Sequence, residues 1–251
     1  MPYAVLQTDL NAPSVEQLRR ALRSVPGLTP YDASILGHDA FGILVKNFPP
    51  EWAGALQRAL QTEGVTTEII DQSLLPELPP KKIVQRLDCR PEHLLIYDPL
   101  GNTFALDWRH VLFIATGAVR LTEFVRHQQQ RPVTRRQGNG RTTIEMEDET
   151  VSREERNFHL VAEIFITGAV LRYSVTADKF NFAYLADRNT GSIVVNFSLF
   201  VRDVIQFSPH AVLNAGAGAL RADATAAFSY PSRNAFQEEM IWRLWQMKKS
   251  A

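Results

Sequence analysis

The chain reads as an α+β protein of two modules, and three observations carry that reading. Period-two runs and period-3.6 runs follow one another without the strict strand–helix alternation of a parallel sheet. A proline-rich, non-periodic stretch, LLPELPPKK at Leu74–Lys82, marks a linker at 74–81 between a first module, 1–73, and a second, 82–251. The second module opens with several short strands bounded by Gly, Asn and Pro turns and closes with helices.

In the first module, Tyr3–Thr8 is a short, apolar, β-prone run. Val15, Leu18, Leu22 and Val25 then recur at spacings of three and four, which places them on one helical face. Ser14 and Gln17 before and within that run fit a capping box, and Pro26-Gly27 stops the helix. Tyr31–Leu36 and Gly42–Phe48 read as strands around the turn Gly37-His38-Asp39-Ala40-Phe41. Pro49-Pro50 opens a helix with the stripe Trp52, Leu56, Ala59, Leu60, Gly64 ends it, and Val65–Ile70 is a further strand. The order β-α-β-β-α-β is the ferredoxin-like split βαβ pattern. The joints VPGLTPYDASIL and TEGVTTEII form the weak internal repeat that such a pattern predicts.

In the second module, Lys82–Leu87, Leu94–Asp98 and Thr103–Trp108 read as short strands, the last two joined by the turn Pro99-Leu100-Gly101-Asn102. Val111–Val119 is a strongly apolar strand. Phe158–Ile166 and Val170–Thr176 resume the sheet around Thr167-Gly168-Ala169. Ile193, Phe197, Phe200, Val201, Val204 and Phe207 make a helical face. A small-residue loop, NAGAGALRADATAAFSYP, leads to a final helix, Arg233–Met247, with the stripe Phe236, Met240, Leu244, Met247 and Trp242 and Trp245 on its flanks.

The segment EHLLIYDPLGNTFALDWRHVLFIATGAV resembles the first strands of a pleckstrin-homology-like domain, and VLRYSVTADKFNFAYL with the helix after it is similar to that domain's closing strands and C-terminal helix. The pairing of modules also resembles uncharacterised bacterial proteins that join a small ferredoxin-like module to such a β-module. The resemblance is one of pattern and carries no catalytic residues. The insertion at 126–157 and the extra helix at Arg233–Met247 depart from the pleckstrin-homology pattern.

Lys+Arg and Asp+Glu both number 27 in 251 residues, so no overall field favours nucleic acid or an anionic membrane. One cysteine, Cys89, excludes an intrachain disulfide and a multi-cysteine metal site. The N-terminus has no signal-peptide pattern and no window approaches a membrane span, so a cytoplasmic protein is expected.

No motif assembles a reaction centre. The six histidines show no HxH, HxxxH or HExxH spacing, so no metal is expected. There is no GxSxG elbow, and Cys89 beside Asp88 and Arg90 reads as a buried thiol. Gly216-Ala217-Gly218 lacks a phosphate loop's strand–turn–helix setting and reads as a flexible loop, so no nucleotide cofactor is expected. His38-Asp39 could be a base oriented by a carboxylate, but a polar turn is the favoured reading. Asp178, Asp187 and Arg188 could line a polar cleft with them, against the plainer reading of a half-buried strand and its loop.

The remaining signal is RPVTRRQGNGRTTIEMEDETVSREER. From Arg126 to Arg141 there are five arginines (Arg126, Arg131, Arg135, Arg136, Arg141) and no acid, and from Thr142 to Arg156 six acids and two arginines. Its composition favours a solvated loop. A hairpin, Val133–Gln137 against Arg141–Met146 around Gly138-Asn139-Gly140, and an arm that meets a partner are the alternatives. The acids and the lack of interleaved aromatics argue against nucleic acid. The expected function is non-catalytic interaction or ligand sensing. The partner would be a protein, a second copy of this chain included, met through those five arginines with Trp242 and Trp245. The alternatives are an enzyme whose polar groups converge only in space and a peripheral binder of anionic membrane through Arg126–Arg141.

Overall fold

The computed structural model describes residues 1–136, 142–223 and 228–250. The described chain is mixed α+β, as its sequence pattern indicates, with two small antiparallel sheets and a larger sheet that holds both antiparallel and parallel pairs. It divides into two compact units, Met1–Val119 with His159–Ala251, and Arg120–Phe158.

The N-terminal part of the chain runs β1 (Tyr3–Gln7), α1 (Val15–Leu22), α2 (Pro30–Asp39), β2 (Ile43–Phe48), α3 (Pro50–Thr62) and β3 (Thr67–Asp71). Its sheet has the order β2-β1-β3, antiparallel throughout. The βαββαβ order expected from the sequence is therefore corrected: the segment expected as a second strand is helix α2. The cause is local. Thr29 and Asp32 cap each other's backbone N–H groups, and Pro30 sits in the first turn with its φ already helical. The box expected at Ser14 and Gln17 does form on α1.

Leu18 and Leu22 of α1 and Leu56 and Leu60 of α3 pack with Val5 and Leu44 on one face of this sheet. The other face presents Ala4, Leu6, Ile43 and Ile70, and Trp242 covers it. Gly42 makes that possible. Its φ is +83°, and a Cβ there would lie 2.3 Å from the Trp242 ring.

The chain continues with β4 (Lys81–Ile83), β5 (Leu87–Cys89), β6 (Leu94–Tyr97), β7 (Thr103–Leu106), β8 (Val111–Arg136), β9 (Thr142–Ile166) and β10 (Arg172–Thr176). Then come α4 (Ile193–Phe207), β11 (Val212–Leu213), α5 (Ala215–Arg221), β12 (Ser229–Tyr230) and α6 (Arg233–Ser250). The large sheet has the order β11-β8-β9-β10-β4, with β12 also on β8, and a small one has the order β5-β6-β7. The main core gathers Leu87, Leu94 and Ile96 from the small sheet, Ile164 and Val175 from the large one, and Phe200 and Val204 from α4.

Two further expectations are corrected. The small-residue loop contains helix α5. Asn214 caps it by accepting from Ala217 N, and the same side chain clamps Thr116 of β8, accepting from Thr116 N at 3.0 Å and donating to Thr116 O at 3.0 Å. Gly216 passes so close that a Cβ would lie 1.9 Å from Thr116 O, which explains the glycine without any phosphate. The charge-segregated segment is strand up to Arg136 and again from Thr142, so the hairpin alternative replaces the solvated loop. The apolar run Val111–Val119 lies on β8 and the run Phe158–Ile166 on β9. Its expected turn, Gly138-Asn139-Gly140, and Arg141 lie outside the described residues.

Candidate functional site

Residues 81–89 run from one sheet to the other. Lys81, Lys82 and Ile83 pair in parallel with Arg172, Tyr173 and Ser174, while Leu87, Asp88 and Cys89 pair antiparallel with Ile96, Leu95 and Leu94. Between these ladders Val84 N donates to Ser174 O at 3.0 Å, Asn181 N to Gln85 O at 2.7 Å and Tyr97 N to Arg86 O at 3.3 Å. The crossing strand leaves a cavity of about 510 Å³ lined by Ile83, Gln85, Arg86, Tyr97, Asp98 and Asn181, among others. That volume lies in the range of small-molecule sites.

Alternation along the strand puts Arg86 and Asp88 on one face, and the register sets Tyr97 opposite Arg86. The Arg86 guanidinium lies 4.0 Å from the centroid of the Tyr97 ring, a cation–π contact. Its Nη2 donates to Tyr97 Oη at 3.2 Å and its Nε to Asp88 Oδ1 at 3.4 Å. Tyr97 in turn donates to Asp88 Oδ2 at 2.7 Å, and this bond, with some burial, pushes the phenol's pKa up. The guanidinium is thus held in one orientation while remaining 43% exposed. Asp98 at the rim serves the turn: it accepts from Leu100 N, Asn102 N and Asn102 Nδ2, and the last of these leads in holding its pKa down. Asn181 uses its Oδ1 on Ala183 N at 2.8 Å. The wall therefore offers donors, from Arg86, Asn181 and Gln85, to a ligand group that accepts.

Behind this wall lies a second polar cluster. Asp203 of α4, 6% exposed, accepts from Tyr184 Oη at 2.9 Å and from both terminal nitrogens of Arg188. Burial pushes the Cys89 thiol and the Tyr184 phenol well above their usual ranges, so neither is a ready nucleophile or base.

The residues singled out from sequence scatter. His38 and Asp39 end helix α2, with Nδ1 3.1 Å from Oδ1, and Asp39 also accepts from Ser232 Oγ at 3.1 Å. Asp39 lines a different cavity, of about 270 Å³, with Lys46 and Glu238. Asp178 stands 4.0 Å from His159, Asp187 is exposed, and Arg188 is committed to Asp203. No hydrogen bond or ion pair among the described residues joins these three to His38 or Asp39. Trp242 is buried, with Nε1 donating to Gln7 O at 2.8 Å, and Trp245 Nε1 donates to Glu68 Oε1 at 2.9 Å. Both rings pack on the chain's own sheet, Trp242 buried and Trp245 partly buried. Of the arginines, Arg126, Arg135 and Arg136 lie on β8, Arg131 is exposed on it, and Arg141 falls outside the described residues. Among the described residues no group of three or more His, Cys, Asp or Glu could hold a metal ion, and no helix is long and apolar enough to cross a membrane.

The cleft at Arg86 was missed in the sequence. Arg86-x-Asp88 gave the same-face pair, but only the hairpin register reveals Tyr97 beside it. No protein-family model matches this chain, nor does any curated protein or solved structure.

Proposed function

We propose that this chain is a non-catalytic, cytoplasmic binding protein of the interaction or ligand-sensing kind. Its second module acts as a docking platform, and the cleft at Arg86, Tyr97 and Asn181 receives a ligand group that accepts hydrogen bonds, such as a carboxylate or a peptide carbonyl. The observation that carries this reading is the guanidinium fixed by Tyr97 and Asp88 at the wall of a 510 Å³ cavity. A preoriented guanidinium loses little freedom on binding and presents a planar donor edge.

The finer fold names belong to the same reading. Two sheets sharing the crossing segment 81–89, with α4 following β10, support a pleckstrin-homology-like module. The order β2-β1-β3 with α1 and α3 on one face supports a ferredoxin-like module whose edge strand α2 replaces.

Titration of ¹⁵N-labelled protein with acetate, N-acetylglycine and N-acetylaspartate tests the cleft. Shifts concentrated at 83–86, 97–101 and 181, and lost in Arg86→Ala, are expected. Shifts elsewhere, or an undiminished response in Arg86→Ala, would overturn the proposal.

A further inference from the structure

A separate group of charges lies on the large sheet, outside the cleft. Arg172 of β10 stands opposite Phe165 of β9 on one side and Lys81 of β4 on the other, so the three side chains share a face. Its guanidinium carbon is 5.9 Å from the Phe165 ring centroid, and its Nε is 3.2 Å from Glu163 Oε2. Both residues are deeply buried, Arg172 at 6% and Glu163 at 5% exposure. Ser174 Oγ donates to Glu163 Oε1 at 3.0 Å. Arg172 Nε and Nη1 and Glu163 Oε2 are buried and have no hydrogen-bond partner among the described residues.

This pair is not neutral in its surroundings. The charges of Lys81 and Arg233, both exposed side chains, act on Glu163 and on one another. Burial first, and then the charge of Arg233, lower the pKa of Lys81, while for Arg172 burial leads, opposed by Glu163 and assisted by Arg233. Three cations therefore face one carboxylate, whose own ionisation burial opposes. Arg233 is also the first residue of the 18-residue α6. A buried Arg–Glu pair kept only for structure has no use for two further cations and an unfilled guanidinium donor.

We infer that Lys81, Arg172 and Arg233 form a binding site for a small tetrahedral oxyanion of the phosphate class. Lys81 and Arg233 hold it from the solvent side, and Arg172 gives it the unused Nη1 donor. A dianion neutralises the excess charge, and one of its oxygens can accept from the fixed guanidinium. The source is either free phosphate or a phosphoryl group carried on a small molecule. The inference does not rest on the ligand reading of the cleft.

The test is thermal and urea unfolding in inorganic phosphate against sodium chloride at matched ionic strength, with glycerol 3-phosphate as a second arm. Phosphate at a hundred times its Kd is expected to shift the unfolding equilibrium about a hundredfold beyond chloride. Lys81→Ala and Arg233→Ala change exposed side chains and leave the core intact; each is expected to weaken the phosphate response about tenfold. Lys81→Glu places a carboxylate where the anion would sit, and is expected to stabilise the phosphate-free protein while abolishing its response. Arg86→Ala is expected to respond as wild type, which separates failure here from failure of the cleft. Tighter binding of the monoester assigns the site to a carried phosphoryl group, and tighter binding of phosphate to the free anion. Equal effects of phosphate and chloride, or undiminished responses in Lys81→Ala and Arg233→Ala, would overturn the inference.

Discussion

Removing the Asn214 side chain tests how the α5–α6 layer is joined to the sheet. Asn214 is 1% exposed and makes four hydrogen bonds. Its Oδ1 accepts from Thr116 N and Ala217 N, and its Nδ2 donates to Thr116 O and Tyr230 Oη. Asn214→Ala leaves the Thr116 N–H and C=O and the Ala217 N–H buried without these partners, while Tyr230 still donates to Glu239. A buried bond is worth about 1 kcal/mol net, and an orphaned buried group costs about 1–3 kcal/mol. The expected loss is therefore about 4 kcal/mol, or about 10 °C in Tm for a chain of this size. Asn214→Asp keeps both acceptor contacts, loses both donors and sets a carboxylate against the Thr116 carbonyl, so about 2 kcal/mol or more is expected. Equilibrium urea denaturation with unchanged m-value reads both numbers. An Asn214→Ala protein within about 1 kcal/mol of wild type, or Asn214→Asp equal to wild type, would refute the clamp.

Gly216→Ala is expected to cost about 3 kcal/mol or more in the same denaturation assay, because the new methyl meets the Thr116 carbonyl rather than a yielding side chain. Trp242→Ala opens the covered face of the first sheet and is expected to cost about 4 kcal/mol, whereas Trp242→Phe keeps most of the contact and loses the bond to Gln7 O, for about 1 kcal/mol; urea midpoints distinguish them. Cys89, its thiol pushed up by burial, is expected to react with iodoacetamide at pH 8 at least about tenfold more slowly in the native protein than in urea, as intact mass will show. Asp107 is held at about 2, chiefly by its hydrogen bonds from the Arg109 side chain and backbone, so its contribution is complete above the unfolded carboxylate pKa and is lost as pH falls towards 2. Glu163 has the opposite sign: its pKa is raised by burial, so its penalty on folding is present at neutral pH and relieved as pH falls through the raised value. Carboxyl ¹³C titration of the two residues checks both directions.

The elements that sequence revealed are those where local chemistry and burial agree. Ser14-x-x-Gln17 capped the helix it was expected to cap, and α4 buried Phe197, Phe200, Val201 and Val204 of the six-residue stripe that marked it, while Phe207 is partly buried and Ile193 exposed. Tyr31–Leu36 misled because Tyr31, Ala33 and Ile35 alternate as a strand would. In α2, however, Ala33 and Leu36 turn to the core while Tyr31 and Ile35 remain 74% and 45% exposed, a spacing of three that two outward apolar residues disguised. The decisive mark was already written at Thr29-Pro30-Tyr31-Asp32, whose capping box and first-turn proline outweigh a weak alternation. A similar conflict hid α5, where glycines and alanines suggested a loop and only the approach to Thr116 explains the choice of glycine.

The candidate sites were hidden for a different reason. Each is made by strands meeting across long stretches of chain, so no spacing within one segment encodes it. Arg86 meets Tyr97 through the β5–β6 register, and Asn181 joins them because the strand that carries Arg86 also bridges to the segment after β10. Lys81 meets Arg172 through the parallel β4–β10 pairing, and Arg233 comes from the start of α6. Lys81 and Arg86 thus lie on one segment that serves both sheets, with Lys81 on the pairing with β10 and Arg86 beyond it. The proline-rich linker before it fixes where that segment begins: Pro80 O accepts from Arg172 N at 3.0 Å, one residue before Lys81. The residues expected to separate two modules therefore also set the register that assembles the basic cluster. A change in linker length at 74–79 that spares Pro80 should leave the phosphate response intact, whereas a one-residue deletion at Pro80–Lys81 should abolish it by turning Lys81 to the other face.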